Sequence, residues 1–308
     1  MSAAPYDYDI TERLHTSERS LVYRASSVQF NTGVIVKIPN KESPSFQEIA
    51  QFKREYAIAR RCSHAGVVQP LALRQEAGRW TMIHEDIGGQ SLNRLLREHW
   101  PQAGDTAVPH GIALDDFFDI ALQLCAALEV VHGNGIIHKD INPSNLVWNH
   151  AQRRLQLIDF GIASELGQET QRIDNPNMLE GTLRYMAPEQ TGRMNRIVDY
   201  RADYYAVGAT FYELLAGRPL FAATDAMELV HCHIARIPDW TLPELALLPP
   251  ALLAVLQRLL EKNAEQRYQS LQGLQRDLEL CRQLAREPAQ THGLAAGLSD
   301  HSGKFLIP

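Results

Sequence analysis

The sequence predicts an α+β fold in two unequal parts, a mainly β part over residues 8–87 and a mainly helical part over residues 88–285. The first part holds runs rich in β-branched residues with a turn signal between them, whereas the second holds apolar residues at helical spacing. The β-rich runs are 21–25 and 33–38, and the long helical stretches of the second part are 114–132, 251–260 and 271–284. Residues 286–308 lose this periodicity, so we expect a linker or tail there.

Composition excludes several classes of protein. Of the 308 residues, 45% are hydrophobic and 21% are charged, as in an ordinary globular protein, and the net charge of −6 gives no reason to expect nucleic acid as a partner. The four cysteines lie far apart, which argues against a zinc site and fits a reducing compartment. No apolar run is long enough to span a membrane, and the N-terminus lacks the pattern of a signal peptide. We therefore expect a cytoplasmic protein.

The mainly β part carries one lysine and two glutamates of interest. Lys37 ends the second β-rich run, and a helical pattern follows over residues 46–62. A lysine on a strand that faces a phosphate site supplies a point charge, although a lysine at a strand end is otherwise a solvated side chain. Glu55 and Glu48 both lie on the predicted helix, and from the residues alone either could pair with Lys37 or lie on the surface.

The segment over residues 138–145 has the strongest chemical pattern in the chain. Asp140 and Asn145 lie five residues apart on a loop that contains Pro143. A carboxylate in such a loop can accept the proton of a hydroxyl group, and the oxygen of an amide can hold a metal ion on phosphates. A strand candidate over residues 155–158 then leads to Asp159-Phe160-Gly161.

These motifs, followed in order by Ala187-Pro188-Glu189, resemble the catalytic loop, the magnesium loop and the end of the activation segment of Hanks-type Ser/Thr protein kinases. The resemblance covers nearly the whole chain. It implies a bilobal protein-kinase-like fold, with a small N-lobe over residues 8–87 and a larger C-lobe over residues 88–285. It also implies that ATP and Mg²⁺ are the cofactors and that the substrate is a protein with Ser or Thr hydroxyl groups.

The resemblance assigns roles to particular residues. Asp140 is the expected catalytic base, Lys37 the phosphate anchor with Glu55 as its partner, and Asn145 and Asp159 the expected magnesium ligands. Asn142 and Thr182 complete the expected catalytic set, and a threonine at the latter position favours Ser or Thr substrates. The residues expected around the nucleotide are Val22, Ile35, Glu85, Ile87, Val147, Ser17 and Ser20.

Other family positions are structural. Glu189 is expected to pair with Arg267, and Asp203 to brace the catalytic loop from below. His84 would lie at the back of the nucleotide pocket, and we assign it no chemistry. Thr170 is the expected phosphorylation site of the activation segment.

The chain departs from the family pattern at several positions. The three glycines of the usual phosphate-covering loop are replaced by His15, Ser17 and Ser20, which removes the residues that best allow close approach to phosphate oxygens. Asn142 stands where Ser/Thr kinases usually carry a lysine, and Lys139 replaces an arginine. We expect weaker or slower use of nucleotide, with Ile35 making a tighter roof over adenine than the usual alanine.

Segments 180–196, 229–236 and 300–308 resemble one branch of the family. In that branch a Ser/Thr kinase domain precedes an AAA-type ATPase module and a sensor histidine kinase in one large signalling protein. The expected partners are therefore downstream ATPase and histidine kinase modules, and the tail over residues 286–308 resembles the junction before the ATPase.

Three functions fit these patterns. An active Ser/Thr protein kinase is favoured because the five positions of the catalytic set that act on ATP and Mg²⁺ carry competent residues. The alternative is a pseudokinase-like regulatory module that binds nucleotide with little or no transferase activity, which the loop without glycines and Asn142 favour. Phosphate transfer to a small molecule is a third possibility, although the peptide-positioning segment over residues 182–189 is complete.

Overall fold

The computed structural model describes residues 8–76, 78–99, 111–165, 182–193, 196–286, 296–297 and 300. The chain forms a smaller β lobe and a larger helical lobe joined by a short connection, so the predicted two-part α+β fold is confirmed. Among these residues, no helix is both long and apolar enough to cross a membrane. Thr170 and most of the predicted activation segment lie outside the described residues, as does most of the predicted loop over residues 101–111.

Five strands form the sheet of the small lobe: β1 (Tyr8–Thr16), β2 (Ser20–Ser27), β3 (Thr32–Pro39), β4 (Pro70–Glu76) and β5 (Arg79–Glu85). They are antiparallel to their neighbours in the order β1-β2-β3-β5-β4. Because side chains alternate along a strand, Val34 and Val36 pack with Ile83 in a buried cluster on one face. Ile35 and Lys37 lie on the opposite face, which borders the groove between the lobes.

One helix, α1 (Phe46–Arg61), packs on this sheet and confirms the helix predicted over residues 46–62. Ser45 begins the helix with a capping box, in which its side chain accepts from the N–H of Glu48 and the Glu48 carboxylate accepts from the N–H of Ser45. Phe52 and Ile58 are buried. Glu55 lies among these buried residues, which places a carboxylate on the inner side of the helix.

The large lobe contains α2 (Leu92–His99), α3 (Leu114–Gly133), α4 (Arg201–Ala216), α5 (Ala226–Ala235), α6 (Pro243–Ala246), α7 (Pro250–Leu259) and α8 (Leu271–Arg286). Buried side chains of α3, α4, α7 and α8 form one hydrophobic core. Helix α4 is buried along almost its whole length. Gly208 permits this, because a Cβ atom there would lie 2.8 Å from the Cβ of Leu259 on α7. This core supports the loops that carry the chemistry.

Short strands position those loops: β6 (Gln90–Ser91), β7 (Ile136–Ile137), β8 (Leu146–Asn149), β9 (Arg154–Leu157) and β10 (Ser164–Glu165). Strands β6, β8 and β9 form one sheet, and β7 pairs with β10. The loop over residues 138–145 comes just before β8, and residues 158–161 follow β9. Since β8 and β9 are antiparallel, the two loops meet at one end of the pair, where Ile158 donates its N–H to the carbonyl of Asn145 (2.9 Å).

Described residues of the predicted tail contact the large lobe. The carboxylate of Asp300 is fully buried and accepts from the N–H groups of Gln269 (2.7 Å) and Ser270 (2.9 Å), just before α8 begins. Arg258 on α7 donates to the same carboxylate (3.2 Å) and to the carbonyl of Ala296 (2.9 Å). An anion at the start of a helix satisfies N–H groups that have no partner within the helix.

Replacing Asp300 by alanine is therefore expected to lower the free energy of unfolding by about 2 kcal/mol, because partly buried donors on Gln269, Ser270 and Arg258 lose their acceptor. Urea unfolding of the whole chain measures the effect. Glu279→Ala, an exposed substitution on α8, is the control and should change stability little. Equal stability of both variants would show that residue 300 contributes nothing to the lobe.

Candidate active site

A buried ion pair joins the sheet to α1. Lys37 Nζ lies 2.6 Å from Oε1 of Glu55 and 3.3 Å from Oδ1 of Asp159. Glu48, the other candidate partner, instead caps α1 and pairs with Lys41 at the surface. The structure thus brings Lys37, Glu55 and Asp159 together and separates Glu48 from them.

Burial and charge shift the pKa values of these groups. Burial raises the pKa of Glu55 to about 7, although the adjacent Lys37 opposes this shift. Burial opposes the charged form of Lys37 too, but the carboxylates of Asp159 and Glu55 outweigh it and raise the pKa of Lys37. Burial likewise opposes the charged form of Asp159, but Lys37 lowers its pKa. A cation and an anion are therefore held side by side in the groove.

Two amide side chains hold the carboxylate of Asp140. Asn142 Nδ2 donates to Oδ1 (2.8 Å), and Asn145 Nδ2 donates to Oδ2 (2.8 Å). The same two amides also donate to the backbone carbonyl of Asp140. Burial, followed by the charge of Asp159, raises the pKa of Asp140 even though these hydrogen bonds oppose the shift. The result is an oriented carboxylate with increased basicity.

Asp203 on α4 fixes the backbone of this loop, as predicted. Its buried carboxylate accepts from the N–H groups of His138 (2.9 Å) and Lys139 (2.7 Å). The ring of His132 lies 2.8 Å from the same carboxylate. Lys139 has φ of 68°, a left-handed conformation that costs a non-glycine residue about 1–3 kcal/mol. The hydrogen bonds to Asp203 hold the backbone in this conformation.

Asp159 also has a left-handed backbone, with φ of 65°, and its Oδ1 accepts from the N–H of Gly161 (3.0 Å). The ring of Phe160 packs edge-on against that of His138, with centroids 4.8 Å apart. Gln51 on α1 donates its side-chain amide to the carbonyl of Gly161. This contact was not predicted, because a glutamine on a helix has no distinctive sequence signal.

The loop without glycines between β1 and β2 bonds to itself. Ser17 donates its N–H to the carbonyl of Ser20 (2.9 Å), and the Ser17 hydroxyl accepts from the N–H groups of Arg19 (3.3 Å) and Ser20 (3.1 Å). Asn40, which follows β3, donates its side-chain amide to the carbonyl of Ser17 (2.7 Å). Backbone donors that a glycine-rich loop would direct at phosphates are thus used within the turn.

The connection between the lobes, residues 85–89, is called the hinge here. Glu85 donates its N–H to the carbonyl of Gln69 (3.0 Å), and the carbonyl of Ile87 accepts from Asn149 Nδ2 (2.6 Å). Of the backbone groups predicted to bind adenine, these two are therefore engaged within the protein. The carbonyl of Glu85 and the N–H of Ile87 stay predictions for binding adenine.

Comparison with known proteins gives the family. A model of the protein kinase domain matches residues 8–278. The chain belongs to the protein kinase domain family. It is 29% identical over 266 residues to a probable serine/threonine-protein kinase of Clostridium acetobutylicum, covering 85% of this chain and 38% of that protein. It is 27% identical over 278 residues to the serine/threonine-protein kinase PknB of Mycolicibacterium smegmatis, covering 88% of this chain and 42% of that protein.

This protein kinase domain spans about 40% of the length of the curated relatives it matches. A third relative, a probable serine/threonine-protein kinase of Clostridium perfringens, is 28% identical over 275 residues, which cover 88% of this chain and 38% of that protein. The predicted kinase fold is confirmed, whereas the residue roles given above stay predictions.

The segment after the activation loop has the predicted contact between Glu189 and Arg267. Arg267 and Glu189 form a buried two-pronged ion pair, with distances of 2.6 Å and 2.8 Å. Gln190 donates to the carbonyl of Lys139 (3.3 Å), which links this segment to the catalytic loop. Thr182 begins a short turn, but its side chain lies outside the described part of the chain.

The residues present fit a magnesium ion. Asn145 directs its N–H groups at Asp140, which leaves the amide oxygen as its remaining ligand atom. The carboxylate of Asp159 lies in the same groove, 3.3 Å from Nζ of Lys37. Mg²⁺ in such sites takes one or two protein oxygens and completes its shell with phosphate and water.

Proposed function

We propose that this domain is an active, cytoplasmic kinase that transfers the γ-phosphate of ATP to a Ser or Thr hydroxyl of a protein, with Mg²⁺ as cofactor. The observation that carries the proposal is the assembled site, in which the Lys37–Glu55 ion pair is formed at 2.6 Å. Asp140 lies in the same groove, and its carboxylate is oriented by two amides. The five positions taken by Lys37, Glu55, Asp140, Asn145 and Asp159 all carry competent residues.

In this reaction the hydroxyl oxygen of the substrate forms a bond to the γ-phosphorus while the bond from phosphorus to the β,γ-bridging oxygen breaks, releasing ADP. Asp140 accepts the proton of the hydroxyl. Lys37, fixed by Glu55, binds the α- and β-phosphates, and Ile35 with Val22 and Val147 packs against the base. Asn145 and Asp159 are the residues that would hold Mg²⁺, which would supply positive charge against the phosphates.

Asn142 replaces only part of the function of the lysine that Ser/Thr kinases usually carry at this position. Its amide donates to the carboxylate of Asp140, while its own oxygen accepts from the N–H of Ser144 (2.9 Å). It therefore orients the base but brings no positive charge to the transferring phosphate. Together with the self-bonded loop at Ser17 and Ser20, this supports slow turnover rather than loss of activity.

The larger protein is proposed to continue into an AAA-type ATPase module and a sensor histidine kinase. The resemblance of segments 180–196, 229–236 and 300–308 supports this, and the curated relatives too are longer than the kinase domain. Determination of the full coding sequence tests it, and a chain that continues into neither module would contradict it.

Incubation of purified protein with γ-labelled ATP, Mg²⁺ and generic protein acceptors tests the activity. We expect label on serine or threonine after acid hydrolysis, and none when EDTA removes the metal. A folded protein that is stabilised by ATP yet labels neither itself nor any acceptor would overturn the proposal in favour of the nucleotide-binding regulatory module.

The pH dependence of the reaction offers a second test. We expect kcat/KM for ATP to fall as the pH is lowered from about 8 to about 6, because Glu55, with its pKa raised by burial to about 7, gains a proton and releases Lys37. Between about pH 4.5 and pH 7, the Glu55 carboxylate binds more protons in the folded protein than in the unfolded chain. The contribution of Glu55 to the free energy of unfolding therefore falls as the pH rises through that window.

Rate profiles of wild type and Glu55→Gln measure this effect. The variant should be slower at high pH and should lose the inflection near neutrality. If both proteins show the same inflection, it belongs to another group and the assignment to Glu55 is wrong.

A further inference from the structure

Arg24 on β2 reaches from the sheet to the hinge with all three arms of its guanidinium. Nε donates to Oδ2 of Asp86 (2.7 Å), and Nη2 donates to the carbonyl of Gly89 (2.9 Å). Nη1 donates to Oε2 of Glu12 on β1 (2.8 Å). Arg24 is paired with Ile35 in the β2–β3 ladder, so its side chain emerges on the face of the sheet that borders the nucleotide groove.

A second contact connects the same group to the large lobe. The other oxygen of Glu12 lies 3.4 Å from Nη1 of Arg94 on α2. Glu12 thus joins an arginine of the small lobe to an arginine of the large lobe. We call Glu12, Arg24, Asp86 and Arg94 the clasp.

The hinge itself is held from the side of the large lobe. Asn149 binds the carbonyl of Ile87, and Arg154 pairs with the carboxylate of Glu85 (3.2 Å). Gly89 lies against β8 so closely that a Cβ atom there would be 2.8 Å from the carbonyl of Trp148. Residues 87–89 are therefore fixed to the large lobe, whereas the N–H of Asp86 donates to the carbonyl of Gly33 in the small lobe (3.2 Å). The clasp is one of the connections that lengthen when the small lobe swings away.

Burial decides which contacts of the clasp carry energy. The side chain of Asp86 is 9% exposed and that of Arg24 is 27% exposed, so their ion pair is only partly screened by water. The Glu12–Arg94 contact is longer and lies at the surface, where ion pairs contribute little. The bonds from Arg24 to Asp86 and Gly89 therefore dominate.

We propose that Arg24 is a positioning residue that holds the two lobes closed and thereby slows the release of nucleotide. The proposal rests on the proposed ATP site. Opening of the groove lengthens the Arg24–Gly89 bond, because Arg24 lies on the sheet of the small lobe and Gly89 lies against β8 of the large lobe. Arg24 touches none of the groups that bind phosphate or the reacting hydroxyl, so it acts on the lobes and not on the chemical step. In many kinases and other enzymes with closing lobes, such opening sets the rate of release.

Stopped-flow measurement of nucleotide dissociation tests the proposal. The probe is ATP labelled with a fluorophore on its terminal phosphate, bound in the presence of Mg²⁺ and displaced by excess ATP. Arg24→Met is expected to raise the dissociation rate about tenfold, the factor that corresponds to loss of a partly buried, charge-assisted hydrogen bond. In steady-state assays KM for ATP should rise while kcat does not fall.

Arg153 offers a matched control. It too directs three arms to two carboxylates and one carbonyl, those of Asp119, Asp116 and Asp115, but all within the large lobe. Arg153→Met removes a similar network without touching the connection between the lobes, so its dissociation rate should equal that of wild type. Arg24→Lys, which keeps the charge and one donor group, should recover part of the effect.

The dependence of the dissociation rate on salt concentration distinguishes the proposed role of Arg24 from a merely structural one. Increasing salt should accelerate dissociation more strongly from wild type and from Arg153→Met than from Arg24→Met, because salt screens the clasp in addition to the attraction between the protein and the phosphates. An unchanged rate in Arg24→Met, or an equal increase in Arg153→Met, overturns the proposal.

If Arg24→Met does not fold, Asp86→Asn and Glu12→Gln remove single contacts of Arg24. Faster release from Asp86→Asn supports the clasp, and wild-type rates in both variants overturn it. A wild-type protein that binds no ATP at all refutes the proposed function itself, and the clasp proposal falls with it.

Discussion

Replacement of Asp140 by asparagine is expected to reduce phosphate transfer by about 10²–10⁴-fold, the range for removal of a general base, while ATP binding is retained. Asp140 can accept a proton because its pKa is raised by burial and by the nearby Asp159, yet its carboxylate stays oriented by Asn142 and Asn145. An asparagine has nearly the same shape but no basic oxygen. The proposed contacts of ATP with Lys37 and the hinge do not involve Asp140.

Transfer from γ-labelled ATP by wild type and Asp140→Asn, side by side, measures the effect. The increase in unfolding temperature on addition of ATP and Mg²⁺ should be the same in both proteins, which shows that only the chemical step is lost. Asp9→Asn, an exposed substitution on β1, is the control and should transfer phosphate at the wild-type rate. Full activity of Asp140→Asn would remove Asp140 from the mechanism.

The parts of the site that could be predicted share one property, which is that a short motif fixes their positions. Asp140 and Asn145 lie on one loop, just before β8. Asp159 follows β9, which pairs with β8, so sequence spacing determines the relative positions of these three residues. The partner of Lys37 could not be decided from the residues alone, since Glu48 and Glu55 lie on the same helix. The fold decides it, because Glu55 lies on the inner side of α1 and Glu48 lies in its capping box.

Contacts between residues far apart in sequence could not be predicted. Arg24 and Asp86 are 62 residues apart, and Asn149 meets Ile87 at the same separation. A charged residue on a strand has the sequence pattern of a solvated side chain, and only the register of β2 and β3 directs Arg24 to the hinge. Asp300 is a similar case, because the predicted tail has no periodicity that would reveal a buried carboxylate.

The self-bonded turn at Ser17 and the amide of Asn142 both affect the stabilisation of charge on the phosphates. The first withdraws backbone donors from the phosphates, and the second leaves the transferring phosphate without one cation. Both reduce the stabilisation of charge in the transition state more than they weaken the positioning of the base. A closed clasp around Arg24 offsets such losses, because longer residence of ATP gives a slow chemical step more time.

Replacement of Arg267 by methionine is expected to have the largest effect on folding, a loss of about 3–5 kcal/mol in the free energy of unfolding. Arg267 is fully buried, and besides Glu189 it donates to the carbonyls of Glu261 (2.8 Å), Arg201 (3.0 Å) and Lys262 (3.1 Å). The variant leaves a buried carboxylate without its cation and three carbonyls without their donor.

Urea unfolding of the whole chain measures this loss. Glu189→Gln keeps one acceptor for the guanidinium and leaves its bonds to the carbonyls intact, so it should cost less than Arg267→Met. The double variant Arg267→Met with Glu189→Leu should be more stable than Arg267→Met alone, because it removes the unpaired buried charge as well. Unfolding of Arg267→Met at the same urea concentration as wild type would show that the ion pair does not hold the end of the activation segment against the large lobe.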